Sequence, residues 1–265
     1  MLSICTTVKN RSRVKTDKGM LFLFPNCLES IAKSLTLNDD VELIVADWES
    51  DDWPIRSWIE SVVPHIPIHI ISIKADGFSA GKGRNIAAEY CNGDSIFFMD
   101  ADMMVNRQVI NEGVRIVNNG GIYYPTVKYE VEHGKQIIHE GGGNLFMSKD
   151  AFFKSGKWPE YWKHGFEDTD FAVQLKGVAP IRINNKLSIF HQWHPQTALF
   201  KDAHASKSPI KQRTAKDRKK HYQEQRDKHP RTIITAIDYI LKNYPHTTHS
   251  TLNKPVKGDN RSLTI

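Results

Sequence analysis

Asp100 and Asp102 stand one residue apart in the stretch SIFFMDADMMV (95–105), where a run of apolar, β-favouring residues stops and then resumes. Two carboxylates that close repel each other, so a positive group is expected between them. Hard oxygen ligands suit Mg²⁺ or Mn²⁺, which would relieve the repulsion and bridge a diphosphate. Alone the pair is a weak signal, because acidic residues at strand ends are common turn formers. Two further stretches add weight. GKGRN (81–85) sets Arg84 at the start of a helical pattern, where exposed backbone amides and a guanidinium both favour an anion such as a diphosphate. HGFEDTDF (164–171) gathers Glu167, Asp168 and Asp170 behind the aromatic residues Trp158, Tyr161, Trp162 and Phe166. An acidic helix N-terminus is stabilised by the helix dipole, which explains the acid; the rings either stack on sugar faces or belong to the core.

The elements that must hold these residues alternate between strand-like and helix-like patterns over the first two hundred positions. LSICTTV (2–8), VELIVAD (41–47), IPIHIISI (66–73) and SIFFMD (95–100) read as strands. Between them lie a basic loop (9–18), a helix carrying Leu21, Phe24, Leu28, Ile31, Ala32 and Leu35, and a helix opening after the glycines at 81 and 83. Nearly continuous apolar strands separated by helices indicate an α/β fold with a mostly parallel sheet covered on both faces. Ligands in such sheets bind beyond the carboxyl ends of the strands, where both Asp47 and Asp100 fall. Further strands are expected in GIYYPTV, in QIIHEGGGNLFM, where three glycines permit either a bulge or close backbone approach to a ligand, and in IRINNKLSIFH.

An N-terminal strand, DWESDD, GKGRN, MDAD and GFEDTDF, in that order, resemble the GT-A fold glycosyltransferases, family-2-like with a galactosyltransferase-type Glu-Asp motif. The resemblance spans roughly Leu2 to Pro195. It implies a nucleotide-sugar donor, UDP-linked by the family's habit, a glycan or glycoconjugate acceptor, and an inverting reaction. It also implies Asp47 at the nucleotide base or ribose, which a carboxylate can recognise through an imide hydrogen or hydroxyls. Thr6 and Thr7, ending the first strand, would contact the base, or are ordinary strand residues. The family's Asp-Asp-Gly-Ser wording is altered here by Trp48 and Glu49. By the same resemblance Asp102 is the direct metal ligand, Asp100 serves ribose or metal, and Asn144 meets donor sugar hydroxyls. A late histidine in IFHQWHP, His191 in preference to His194, completes the ligand set, and imidazole favours Mn²⁺ over Mg²⁺. Asp168 takes the position of the catalytic base, Glu167 binds hydroxyls, and Asp170, two residues on, faces away on a helix.

Of 265 residues 40% are apolar, enough for one sizeable core with a tail, and no apolar run is long enough for a transmembrane helix. Cys5, Cys27 and Cys91 have unrelated spacings and read as buried thiols in a reducing, cytoplasmic setting. The net charge of +6 is concentrated: residues 201–231 hold 11 Lys and Arg against 4 Asp and Glu, leaving 25 against 26 elsewhere. A catalytic domain is expected over 1–198, with a nucleotide half (1–105) and an acceptor half (106–198). A basic, largely helical extension (199–265) follows, containing TIITAIDYILKNY. The basic segment could meet an anionic membrane or be a solvated surface. A nucleotidyltransferase would carry its glycine-rich phosphate loop directly after the first strand, where only Gly19 occurs. A nucleic-acid binder would interleave aromatic residues among the cations, and few are present.

Overall fold

Each residue of β1 (Leu2–Val8) is buried, as is all of β4 (Val41–Asp47) except its first residue, so both strands lie in the interior of a sheet. The computed structural model describes residues 1–17, 19–75, 77–130, 136–140, 142–161 and 167–194. The basic segment, the late apolar helix, Trp162 and Phe166 lie outside the described residues. β5 (Ile68–Ser72) and β6 (Ser95–Phe98) flank the central pair, and the order β5-β4-β1-β6 is parallel throughout, as the alternating pattern requires. The sheet continues through β10 (Leu145–Ser148), β8 (Ile122–Glu130), β11 (Ile181–His191) and the short β7 (Met103–Met104). β10 enters antiparallel between β6 and β8, and β9 (Gln136–Glu140) pairs antiparallel with the far end of β8. The stretch expected as one glycine-interrupted strand is thus two strands. β8 and β11 are again parallel, running with β1, so their carboxyl ends reach the same edge as those of β4 and β6.

Helices cover both faces. α1 (Leu23–Ser34), α2 (Ile59–Val62) and α4 (Arg107–Asn118) close one core around Ile4, Val45, Phe97 and Phe146. α3 (Ala80–Glu89), α5 (Lys149–Lys154) and α6 (Glu167–Gln174) close the other around Cys5, Ala46, Phe98 and Leu145. α3 begins before its glycines rather than after them, because the glycines are its contact face. A Cβ on Gly83 would lie 1.9 Å from Thr7 Oγ1, and one on Gly81 would lie 2.0 Å from the carbonyl oxygen of Pro159. The expected basic loop contains a small hairpin, β2 (Val14–Thr16) with β3 (Gly19–Leu21). All three cysteines are buried thiols, with Cys5 and Cys91 Sγ atoms 3.1 Å apart. Among the described residues no helix is long and apolar enough to cross a membrane.

α4 is absent from the sequence expectations although Val109, Ile110, Ile116 and Val117 recur at helical spacing around Gly113. Asn106 caps it by accepting from the amide of Val109 at 3.1 Å. A Cβ on Gly113 would come within 2.5 Å of the Phe146 ring, which is itself stacked on Phe97 with centroids 3.8 Å apart. Alanine would ordinarily gain about 1 kcal/mol over glycine within a helix. Here overpacking reverses the sign, and Gly113→Ala is expected to cost about 1–3 kcal/mol. A lowered thermal midpoint checks this; a raised midpoint would mean that the ring yields.

Candidate active site

Asp100 and Asp102 follow β6 at the carboxyl edge, and each has its own positive neighbour. Asp100 Oδ1 accepts from Arg84 Nη2 at 2.6 Å, and its Oδ2 accepts from Asn144 Nδ2 at 3.0 Å. Asn144 Oδ1 in turn accepts from the Asp100 amide at 2.8 Å, so the carboxylate is held from two sides. Asp102 turns instead toward the end of β11. Its Oδ2 lies 3.3 Å from His194 Nε2, 3.9 Å from His191 Nε2 and 3.8 Å from Arg11 Nε. The repulsion evident in the sequence is therefore resolved by two separate sets of cationic or potentially cationic groups, and not by one between the pair.

Pairing of β7 with β11 brings the histidines to Asp102, with His191 opposite Met103. Gln192, directly after His191, locks the segment in place. The amide of buried Gln192 donates to the Asp102 carbonyl at 3.0 Å, its Nε2 donates to the Leu23 carbonyl at 2.8 Å, and its Oε1 accepts from Asn26 Nδ2 at 2.9 Å. One ligand atom from each of Asp102, His191 and His194 falls within a 4.8 Å cluster. Burial opposes the charge on Asp102, but His194, His191 and Arg11 outweigh it and hold the carboxyl far below the ordinary range. Burial lowers the pKa of His191, favouring the neutral imidazole that a metal requires. Nδ1 of His194 is buried with no hydrogen-bond partner among the described residues. One carboxylate and two imidazoles fit a divalent transition cation such as Mn²⁺ better than they fit Mg²⁺. Asp100, expected at ribose or metal, lies outside this triad because Arg84 and Asn144 hold both of its oxygens.

Glu167 and Asp168 open α6. Glu167 is buried, and its Oε1 lies 3.5 Å from Arg84 Nη1. Asp168 is only half-buried, and a Cβ on Gly142 would stand 3.2 Å from its Oδ2. Gly142 has φ +52, a left-handed conformation that glycine adopts without strain. Asp170 accepts from the Tyr161 hydroxyl at 2.5 Å. Trp158 is core rather than a sugar platform: it is 2% exposed and stacks on Phe171 with centroids 3.9 Å apart.

Asp47 ends β4 and is buried; burial raises its carboxyl pKa, and its Oδ1 accepts from the Ser50 amide at 3.0 Å. Glu49, at the glycine position of the family wording, has a left-handed backbone with φ +50. Thr7 is engaged internally, accepting from the Trp48 indole at 2.9 Å and donating to the Ala46 carbonyl at 3.3 Å. Thr6 lies on the opposite face of β1, its hydroxyl buried without a hydrogen-bond partner among the described residues. Arg11, Asn26 and Gln192 were not sequence candidates. Only Arg11 left a signal there, as a cation in the basic loop.

A family model described as Glycosyl transferase family 2 matches residues 21–179, more than half of the chain. No curated protein matches the sequence. Among solved structures, S. aureus TarS 1–349 is similar with a TM-score of 0.58 and 14% identity, over 72% of this chain and 60% of that one. TarS 1–349 in complex with UDP-GlcNAc gives 0.59 and 14%, over 75% and 60%. Its complex with UDP gives 0.57 and 14%, over 86% and 73%. The likeness is one of fold, and the chain spans about three fifths of the first two structures.

Proposed function

This chain belongs to glycosyl transferase family 2 with a GT-A-like fold, and on that premise we propose a metal-dependent, inverting transfer from a UDP-sugar to a glycan hydroxyl. The convergence of Asp102, His191 and His194 beside a separate acid pair at the same sheet edge carries this reading. The UDP-GlcNAc complex of the TarS fragment supports the choice of nucleotide. Asp102, His191 and His194 would hold the cation, which when bound offsets the charge of the departing diphosphate. Asp47 recognises the base or ribose, and Asn144 holds Asp100 toward the donor. The acceptor oxygen attacks the anomeric carbon from the face opposite the diphosphate. The new carbon–oxygen bond forms as the bond to the diphosphate breaks, and Asp168 takes the hydroxyl proton.

Following UDP release from a panel of UDP-sugars with Mn²⁺ tests the function. Slow hydrolysis of at least one donor, abolished by a chelator, is expected. Chelator-insensitive release, or none from any donor, would contradict the proposal. The basic segment 201–231 is proposed to attach reversibly to anionic membranes, since each cation near such a surface contributes about 1 kcal/mol. The protein is then expected to co-sediment with phosphatidylserine vesicles at low salt and to be released at high salt. Failure to sediment at low salt would leave a soluble acceptor.

A further inference from the structure

The sequence expectation for Arg84 is a diphosphate ligand, but its surroundings suit a different task. Its side chain is 6% exposed and pinned from four directions. Nη2 reaches Asp100 on the donor side at 2.6 Å, and Nη1 faces Glu167 at the head of α6 at 3.5 Å. Cζ lies 4.5 Å from the centroid of the Trp158 ring, which stacks in turn on Phe171 of α6. Backbone closes the fourth side: a Cβ on Gly143 would sit 2.0 Å from Nη2 and 2.5 Å from Cζ. A diphosphate would have to displace one of these partners to reach the guanidinium.

We propose that Arg84 is a positioning residue that couples the two halves of the site, holding Asp100 and Glu167 at a fixed separation without binding the donor. Asp168, beside Glu167, adds to the negative field around the guanidinium. A planar fork can engage two carboxylates in different directions, whereas an ammonium is a point charge on a flexible stem. Glu167 is buried, where a carboxylate left without a cationic partner is costly. Gly143 belongs to the same device, since it leaves the space in which the guanidinium lies. This inference rests on the reading of Glu167 and Asp168 as the acceptor-side acids.

The test uses Arg84→Lys, Gly143→Ala, Glu167→Gln and the Arg84→Lys/Glu167→Gln double variant. Three quantities are measured: UDP release from the UDP-sugar that the wild type consumes, UDP affinity with Mn²⁺ by calorimetry, and the thermal midpoint. Arg84→Lys and Gly143→Ala are each expected to slow release at least about 30-fold, as misplacement of reacting groups does, with UDP affinity within about threefold. The double variant is expected to be no more than about threefold slower than the worse single variant, because coupled residues are not additive. UDP affinity that falls in step with turnover would make Arg84 a donor ligand and overturn the proposal. Normal release in Gly143→Ala, which alters no charged group, would overturn it too, whether or not Arg84→Lys folds. If the wild type consumes no UDP-sugar, the functional reading fails. The coupling is then judged on thermal midpoints: non-additive losses uphold it, and additive losses overturn it.

Discussion

Asp168→Asn is expected to turn over at least about 10²-fold more slowly than the wild type, the low end for loss of a general base. The amide keeps the size of the carboxylate and can still accept a hydrogen bond, but it cannot take the acceptor's proton. The structure distinguishes Asp168 from its acidic neighbours. Glu167 is buried against Arg84, Asp170 accepts from the Tyr161 hydroxyl, and Asp168 lies next to the left-handed Gly142. UDP affinity should change little, because the carboxylate acts on the acceptor. The measurement is single-turnover transfer with the anomeric configuration of the product read by NMR. Normal turnover would move the role to Glu167 or Asp170, and a product of retained configuration would remove direct displacement altogether.

Asp102→Ala is expected to abolish metal-stimulated turnover. It should also weaken Mn²⁺ binding by at least about 100-fold, the upper end of what loss of a mere outer-sphere partner costs. Asp102 supplies the only carboxylate of the triad and faces both Nε2 atoms. The fold should persist, because Gln192 ties the histidine segment to the backbone of Asp102 and to α1 through contacts the substitution leaves in place. Circular dichroism confirms folding while calorimetry with Mn²⁺ reports binding. Metal-stimulated activity near the wild-type level would remove Asp102 from the ligand set.

What the sequence reveals depends on how locally each feature is determined. β4 matches its expected limits, Val41 to Asp47, because a strand buried on both faces leaves a nearly continuous apolar run, interrupted here by Glu42. α4 carries a helical pattern in Val109, Ile110, Ile116 and Val117, whereas the need for glycine at its centre depends on the Phe146 ring across the core. The acids and histidines are recognisable by type and order. That both histidines face Asp102 depends on the β7–β11 pairing, which no local pattern contains. Thr7 reads as an available hydroxyl until Trp48 and Gly83 are packed against it. The contact of Arg84 with Glu167 is hidden for the same reason, since the two lie 83 residues apart and local sequence displays only a cation at a helix start. At Glu49 the left-handed backbone, φ +50, is a feature that the residue type does not announce.

Anomalous diffraction from crystals soaked with Mn²⁺ and UDP tests the metal-dependent site most directly. A single strong Mn²⁺ peak is predicted within coordination distance of Asp102, His191 and His194, with the diphosphate on the same ion and Asp100 still paired with Arg84 and Asn144. A UDP molecule bound at the carboxyl edge with no manganese peak at that triad, or with the peak on other residues, would contradict it.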